Sequence, residues 1–206
     1  MSERLVLHEY SPSGNCYKVR LTAALVGKPL ERREYDITKG ETRTPEFLAN
    51  VNANGRIPVL QVDDRFIPES NAACHYLAES SHLMPNDPFD HADMLRWMFW
   101  EQYNHEPNVA TLRFWTGTIG LDNLTELQRQ QVPLKLQAGD AALKLMDEHL
   151  SGREWFVASK PSLADVALYA YTHVAEEGGF SLAALTNVRN WIGRVEKQPG
   201  YVPLTA

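Results

Sequence analysis

The sequence predicts a two-domain chain: an α/β domain carrying a mixed four-stranded sheet, followed by an all-α helical bundle. Three observations lead there. Short β-like runs alternate with helical spacing over residues 1–80, a breaker-rich stretch fills residues 81–90, and residues 91–206 show helical periodicity alone.

Leu5 to Glu9 reads as the first strand, and Met1 to Arg4 leads straight into it without an apolar signal segment. The turn cluster Ser11-Pro12-Ser13-Gly14-Asn15 opens a helix through Leu25, with Val19, Leu21, Ala24 and Leu25 at helical spacing. Leu30 to Asp36 is a second strand, and a β-α-β opening predicts parallel pairing. Thr44-Pro45-Glu46-Phe47-Leu48 marks a short helix, threonine capping it and proline in its first turn. Pro58 to Val62 and Arg65 to Ile67 form a hairpin about Asp63-Asp64, which adds antiparallel strands. Ser70 to Ser80 is helical, with Ala72, Ala73, Tyr76 and Leu77 apolar. Beyond the linker, Pro107 is expected to kink or divide a helix running from Asp90 to about Gly117. Leu121 to Leu150 is a long helix with a kink at Pro133, and Ser162 to Glu177 and Asn187 to Lys197 complete the bundle.

Composition narrows the partners. Lys and Arg number 20 against 26 Asp and Glu, a formal charge of -6, which gives no electrostatic footprint for nucleic acid or an anionic membrane. Apolar runs fall well short of the roughly 20 residues that span a bilayer. Two cysteines, Cys16 and Cys74, predict a reducing, cytoplasmic location. The seven histidines never pair at metal-ligand spacing, so no metal or cofactor is expected. Small molecules are the expected partners.

Three segments carry chemistry. A loop of small polar residues between a strand and a helix gathers unpaired N–H groups and a positive dipole end. Ser13 and Asn15 stand at this mouth, and Ser13 is equally readable as an ordinary N-cap worth about 1 kcal/mol. Ser13-Gly14-Asn15-Cys16 has the spacing of a thioredoxin-like C-x-x-C loop with serine in the exposed first position, a loop that holds an external thiol rather than its own disulfide. In Asn54-Gly55-Arg56-Ile57-Pro58-Val59-Leu60, a cis Ile57–Pro58 bond would turn the preceding backbone toward a cysteinyl ligand, while a trans bond would simply start a strand. Glu69-Ser70 is either a helix cap or a receptor for an amino-acid head group, with the carboxylate facing an ammonium and the hydroxyl a carboxylate. In this order the three describe a site for a zwitterionic peptide with a central thiol.

Ser13-Gly14-Asn15-Cys16-Tyr17-Lys18-Val19-Arg20, Pro45-Glu46-Phe47-Leu48, Asn54-Gly55-Arg56-Ile57-Pro58, Glu69-Ser70 and Ser162-Leu163-Ala164-Asp165 resemble the cytosolic glutathione transferase superfamily nearly end to end. The resemblance is strongest to its bacterial serine-type branch near the theta, phi and zeta classes. It implies a thioredoxin-like glutathione-binding domain and a helical domain that supplies an electrophile pocket. It further implies a cytoplasmic homodimer that conjugates glutathione, as co-substrate, to small electrophiles in detoxification. Ser13 takes the thiol-activating position with Asn15 as second donor, Ile57 pairs with the cysteinyl backbone, Pro58 is the cis-proline, and Glu69 and Ser70 hold the γ-glutamyl end. Arg56 stands where relatives carry glutamine or lysine, Arg43 lies in the region of a basic residue facing the glycine carboxylate, and Asn50-Val51 holds one residue more than the usual pattern. Ser162 to Asp165 is read as a structural capping box. Tyr103, His105 and Arg113, interleaved with Trp97, Trp100, Phe114 and Trp115, are the candidate electrophile wall, although aromatic stripes on helices serve equally as core. Cys16 keeps a glutathione-dependent disulfide reductase or isomerase open as the alternative enzyme, and a non-catalytic glutathione-binding module is the reading from another class.

Overall fold

Strand β1 (Leu5–Glu9) is buried at every position, as a strand flanked on both sides must be. The computed structural model describes residues 3–206, so Met1 and Ser2 of the expected lead-in lie outside the described residues. β2 (Glu31–Glu34) pairs with β1 in parallel and is exposed throughout; its Glu-Arg-Arg-Glu sequence suits an edge, where charge deters pairing with another chain. β3 (Val59–Val62) runs antiparallel to β1, and β4 (Arg65–Pro68) antiparallel to β3, giving the order β2-β1-β3-β4. This is the mixed, thioredoxin-like sheet the sequence predicts.

Helices α1 (Gly14–Leu25) and α3 (Ser70–Ala78) pack side by side, burying Val19, Leu21, Ala73 and Leu77 with Leu7 and Leu60 of the sheet. Each fully buried leucine contributes about 1.5–3 kcal/mol. α2 (Pro45–Asn50) opens as expected, with Thr44 Oγ1 accepting the Phe47 N–H at 3.2 Å, and buried Phe47 sets its ring edge-on to Tyr35 at 4.9 Å.

The second unit, Pro85–Lys197, is helical. α4 (Pro88–Trp100) is capped by Asp87. The helix is divided just before Pro107, as expected. The chain widens into a π turn at Glu101–His105 and resumes as α5 (Glu106–Phe114), so Pro107 falls in a first turn, where its missing N–H is not needed. A second π turn, Trp115–Ile119, ends at Gly120 with φ +82°. α6 (Glu126–His149) starts later than expected, at a Thr125–Gln128 capping box preceded by a short 3-10 turn at Leu121–Asn123, and it continues through Pro133.

α7 (Leu163–Thr172) is buried along its whole length, and α8 (Thr186–Val195) packs Trp191 onto it. Fully buried Asp165 ties this core together. Its carboxylate accepts from Ser162 N–H (2.9 Å), Ser162 O–H (3.1 Å), Phe156 N–H (3.1 Å) and Trp191 Nε1–H (2.9 Å). Burial pushes the carboxyl up to about 6 against the downward pull of these donors. The capping-box reading of Ser162–Asp165 therefore describes only part of what this carboxylate does.

The division between units falls between Met84 and Pro85, inside the stretch expected as a linker. The chain beyond Lys197 departs from the expected boundary, because Gln198–Ala206 packs with the first unit. Pro199, Gly200 and Pro203 cannot continue a helix, and α1 offers this extended stretch its donors: Tyr17 Oη donates to Val202 O at 2.7 Å and Arg20 to Leu204 O at 3.0 Å. No helix among the described residues is long and apolar enough to cross a membrane.

Candidate functional site

Strand register brings the predicted segments to one end of the sheet. His8 pairs with Val59, and Val59 with Pro68. Pro58, Glu69 and the loop after Glu9 therefore leave three adjacent strands at the same edge.

At that edge, Ser13 caps α1 with extended geometry (φ -71°, ψ 125°), and its Oγ accepts the Cys16 N–H at 3.4 Å. The hydroxyl proton is left to donate elsewhere. No acidic side chain sits in the first turn of α1, so the positive end of the helix is not neutralised locally. Asn15, half-buried, accepts at Oδ1 from Ser70 Oγ–H at 3.2 Å. That bond joins the N-termini of α1 and α3 across 55 residues of sequence. Cys16 is fully buried, and burial pushes its thiol up to about 12 in spite of the Tyr10 N–H and Ser13 contacts that favour the thiolate. It is a packed sulfur, closed off from solvent.

The Ile57–Pro58 bond is cis. Asn52 closes the turn before it, donating from Nδ2 to Arg56 O at 2.9 Å and accepting the Asn54 N–H at 3.0 Å. Gly55 has φ +62°, and a Cβ there would lie 2.6 Å from Arg43 Nη1, which donates to Asn54 O at 3.0 Å. Arg43 thus braces this turn, while Arg56 is exposed with its side chain outward. Asn52 is a working residue the sequence reading missed; an asparagine two residues before Asn-Gly is the signature of such a side-chain turn.

Glu69 is exposed at the β4–α3 junction with φ +71° and ψ 115°, and its side chain makes no capping bond. A non-glycine residue in this region costs about 1–3 kcal/mol, and such strain concentrates at ligand-binding positions. Glu69 thus stands at the N-cap position of α3 without a side-chain capping bond, its charge near the positive helix end, and Ser70 bonds Asn15.

The back-unit candidates have different surroundings. Tyr103 is 84% exposed, whereas His105 is fully buried with Nε2 3.0 Å from Thr172 Oγ1. The Thr172 hydroxyl already donates to Leu168 O at 2.7 Å, so His105 Nε2 is the donor in that pair. A ring so enclosed is core, which corrects its placement in a ligand wall. Arg113 is engaged by Glu177 at 2.6 Å. Trp97 and Trp115 are likewise buried. Sequence periodicity marks these residues as apolar-facing without telling core from cavity wall.

A cavity of about 230 Å³ in the first unit is lined in part by His8, Arg33, Tyr35, Phe47, Gln61 and Phe66, and contains none of the predicted site residues. His8 bonds Tyr35 Oη and Gln61 Oε1, each at 2.9 Å, filling its polar wall from within. Among the described residues no group of three or more His, Cys, Asp or Glu side chains is placed to hold a metal ion.

Comparison with known proteins places the whole chain. Residues 5–79 match the glutathione S-transferase N-terminal domain and residues 109–199 the glutathione S-transferase C-terminal domain. A solved structure of a possible glutathione S-transferase from Rhodopseudomonas palustris is 40% identical, with TM-score 0.92 over 98% of this chain and 90% of that one. A glutathione S-transferase-like protein of a Fusarium species is 29% identical over 181 residues, 82% of this chain and 79% of its own. Maleylacetoacetate isomerase of Rhizobium meliloti is 27% identical over 188 residues, 89% of this chain and 87% of its own.

Proposed function

The chain belongs to the glutathione S-transferase family, and from that premise we propose that it binds glutathione at the Ser13, Ile57–Pro58 and Glu69–Ser70 edge of its front unit and transfers the activated thiol to small electrophiles. The observation that supports this most is the Asn15–Ser70 hydrogen bond, because it draws two helix N-termini and both candidate head-group and thiol residues into one place.

Each residue has a role in this reading. Glu69 faces the γ-glutamyl ammonium and Ser70 the neighbouring carboxylate. The Ile57 backbone pairs with the cysteinyl segment beside cis Pro58. Arg56 is the freer cation for the glycine carboxylate, since Arg43 is engaged with Asn54 O. Ser13 donates its O–H to the sulfur and stabilises the thiolate; no base stands in the motif to make it abstract a proton, which leaves to solvent. The thiolate lone pair then forms the S–C bond as the electrophile's leaving group departs or its double bond accepts a proton. Asn15 assists as second donor. Tyr103 and Arg113 remain in the proposed electrophile wall, and His105 does not.

The serine in the activating position favours the serine-type branch near the theta, phi and zeta classes. A homodimer suits the exposed Phe89 and Phe99 of the helical unit, and cytoplasmic detoxification is the corresponding role. The isomerase relative supports a second reading, in which the thiolate adds to a conjugated double bond, the resulting single bond rotates, and glutathione is expelled unchanged. Disulfide reduction through Cys16 is disfavoured by its burial and raised pKa.

Calorimetry with reduced glutathione, followed by turnover on an electrophile panel, a cis-configured conjugated enone and a mixed disulfide, tests the proposal. Saturable binding with consumption of thiol by the electrophiles is expected. Enone isomerisation without thiol consumption would favour the second reading, and absence of both binding and retention on immobilised glutathione would sink both.

A further inference from the structure

Glu9, the last residue of β1, is fully buried, an unfavourable place for a carboxylate unless it is paired. Two arginines meet it. Arg20 of α1, only 6% exposed, brings Nε to 3.1 Å from Oε2, and Arg32 of β2 reaches Oε1. The remaining described bonds of both guanidinium groups go to two destinations. One is Ser11, two residues before Ser13: Arg20 Nη2 donates to its carbonyl at 2.8 Å and Arg32 Nη2 to its Oγ at 3.2 Å. The other is the 198–206 segment: Arg20 donates to Leu204 O at 3.0 Å and to Ala206 O at 2.9 Å, and Arg32 to the same Ala206 oxygen at 2.8 Å. The segment lies close along α1. Tyr17 Oη donates to Val202 O at 2.7 Å, and a Cβ on Gly200, whose φ is +86°, would stand 2.7 Å from Ala24 O.

We propose that residues 198–206 are a strap that loads the Glu9–Arg20–Arg32 cluster and through it sets the position of the Ser13 hydroxyl, making Arg20 a positioning residue for the thiol chemistry. The part concerning chemistry rests on the reading of Ser13 given above. A guanidinium is a rigid planar fork, so its donors are aimed together. The strap supplies two of the acceptors that hold Arg20 in the plane from which it also bonds Ser11. Lifting the strap frees the fork to turn toward water and releases the Ser11 carbonyl. The loop from Tyr10 to Ser13 then keeps its own turn bond, Ser13 N–H to Tyr10 O at 2.9 Å, and the two bonds that Ser11 donates to Glu34 of β2, N–H to Oε1 and Oγ–H to Oε2 at 2.7 Å each, but the Ser11 carbonyl, the side of the loop that leads to Ser13, loses its hold on α1. A displacement of about 1 Å at a catalytic group costs up to roughly a hundredfold in rate.

Two variants separate loop position from folding. Gly200→Val unseats the strap without touching the cluster or the site. Arg20→Lys keeps a cation beside Glu9 but cannot serve the carbonyls of Ser11, Leu204 and Ala206 together. Hydrogen exchange of the whole chain is the first measurement, and it needs no ligand. Both variants should exchange faster at the Ser13 and Cys16 amides, with the helices of Pro85–Lys197 unchanged. In glutathione transfer, kcat should fall about tenfold to a hundredfold, with the glutathione KM within about threefold and the pKa of the bound thiol raised. Unchanged exchange at Ser13 and Cys16 in both variants overturns the strap. Faster exchange with wild-type kcat, in an enzyme that Ser13→Ala does cripple, overturns the positioning role. If Ser13→Ala instead matches wild type in glutathione chemistry, the reading of Ser13 fails while faster exchange upholds the strap as the anchor of the loop.

Discussion

Replacing Ser13 by alanine removes two functions of one oxygen, and the geometry predicts a different size for each. The cap is the smaller loss. Ser13 Oγ meets the Cys16 N–H at 3.4 Å, the long end of the hydrogen-bond range, and α1 is held independently by its buried face. A cost of about 1 kcal/mol is expected, which is about 2–4 °C in Tm for a chain of this size. The donor is the larger loss. A hydrogen bond to a charged group is worth about 1.5–3 kcal/mol, so the bound thiol's pKa should rise by about one to two, and kcat near neutral pH should fall about tenfold to 150-fold. Activity should recover partly in alkali, where solvent alone deprotonates the thiol. Ser13→Gly isolates the second function, since glycine at an N-cap costs only about a few tenths of a kcal/mol while lacking the hydroxyl. Ultraviolet titration of the bound thiolate, together with kcat against pH, reads the result. If both variants titrate like wild type, Ser13 has no part in activating the thiol and the donor must be sought at Asn15.

Three further outcomes are expected. Glu69→Gln should raise the glutathione KM with kcat largely kept; a collapse of kcat at constant KM, in steady-state kinetics, would take Glu69 out of head-group binding. Asp165→Asn should destabilise the helical unit by about 2–4 kcal/mol in urea unfolding, because either orientation of the amide turns an NH2 toward a pair of donors the carboxylate now satisfies. Since the folded carboxyl is raised to about 6 from the 3.8 of an unburied aspartate, its contribution should weaken as pH rises across that interval and stay level above it; a wild-type slope there matching that of Asp165→Asn would contradict this. Finally, neither Cys16 nor Cys74, both buried, should react with a thiol reagent at pH near 8 until the chain is unfolded; rapid native labelling of Cys16 would revive disulfide chemistry.

Local signals in the sequence were most informative where one residue type has one physical use. Thr44-Pro45 and Ser162 to Asp165 begin helices as expected, and the β-α-β-β-α order follows from short runs bounded by turn residues. Pro107 marks a division of its helix as the proline rule predicts, but the form of that division, a π turn over Glu101–His105 that leaves Pro107 in a first turn, is not contained in the rule. Ser13 and Ser70 each look like ordinary caps when read singly; what brings them together with Asn15 is the strand register and a bond spanning 55 residues, which no local pattern contains. His105 shows the opposite failure. Its spacing among aromatics is the same for a core residue as for a cavity wall, and only the Thr172 partner and zero exposure separate the two. The placement of Gln198–Ala206 depends on donors of α1 that are nearly the whole chain away.

The register that gathers Pro58 and Glu69 at one end of the sheet also sends the β3–β4 hairpin to the other. Val62 pairs with Arg65 and with Leu5, so the exposed Asp63-Asp64 tip sits at the start of β1, a full strand's length from the Ser13 loop. An exposed hairpin tip tolerates inserted chain well. That tip is accordingly where a fluorophore, an affinity handle or a surface-coupling peptide can be spliced in, giving an immobilised or reporter form of the protein whose Ser13 edge faces away from the support.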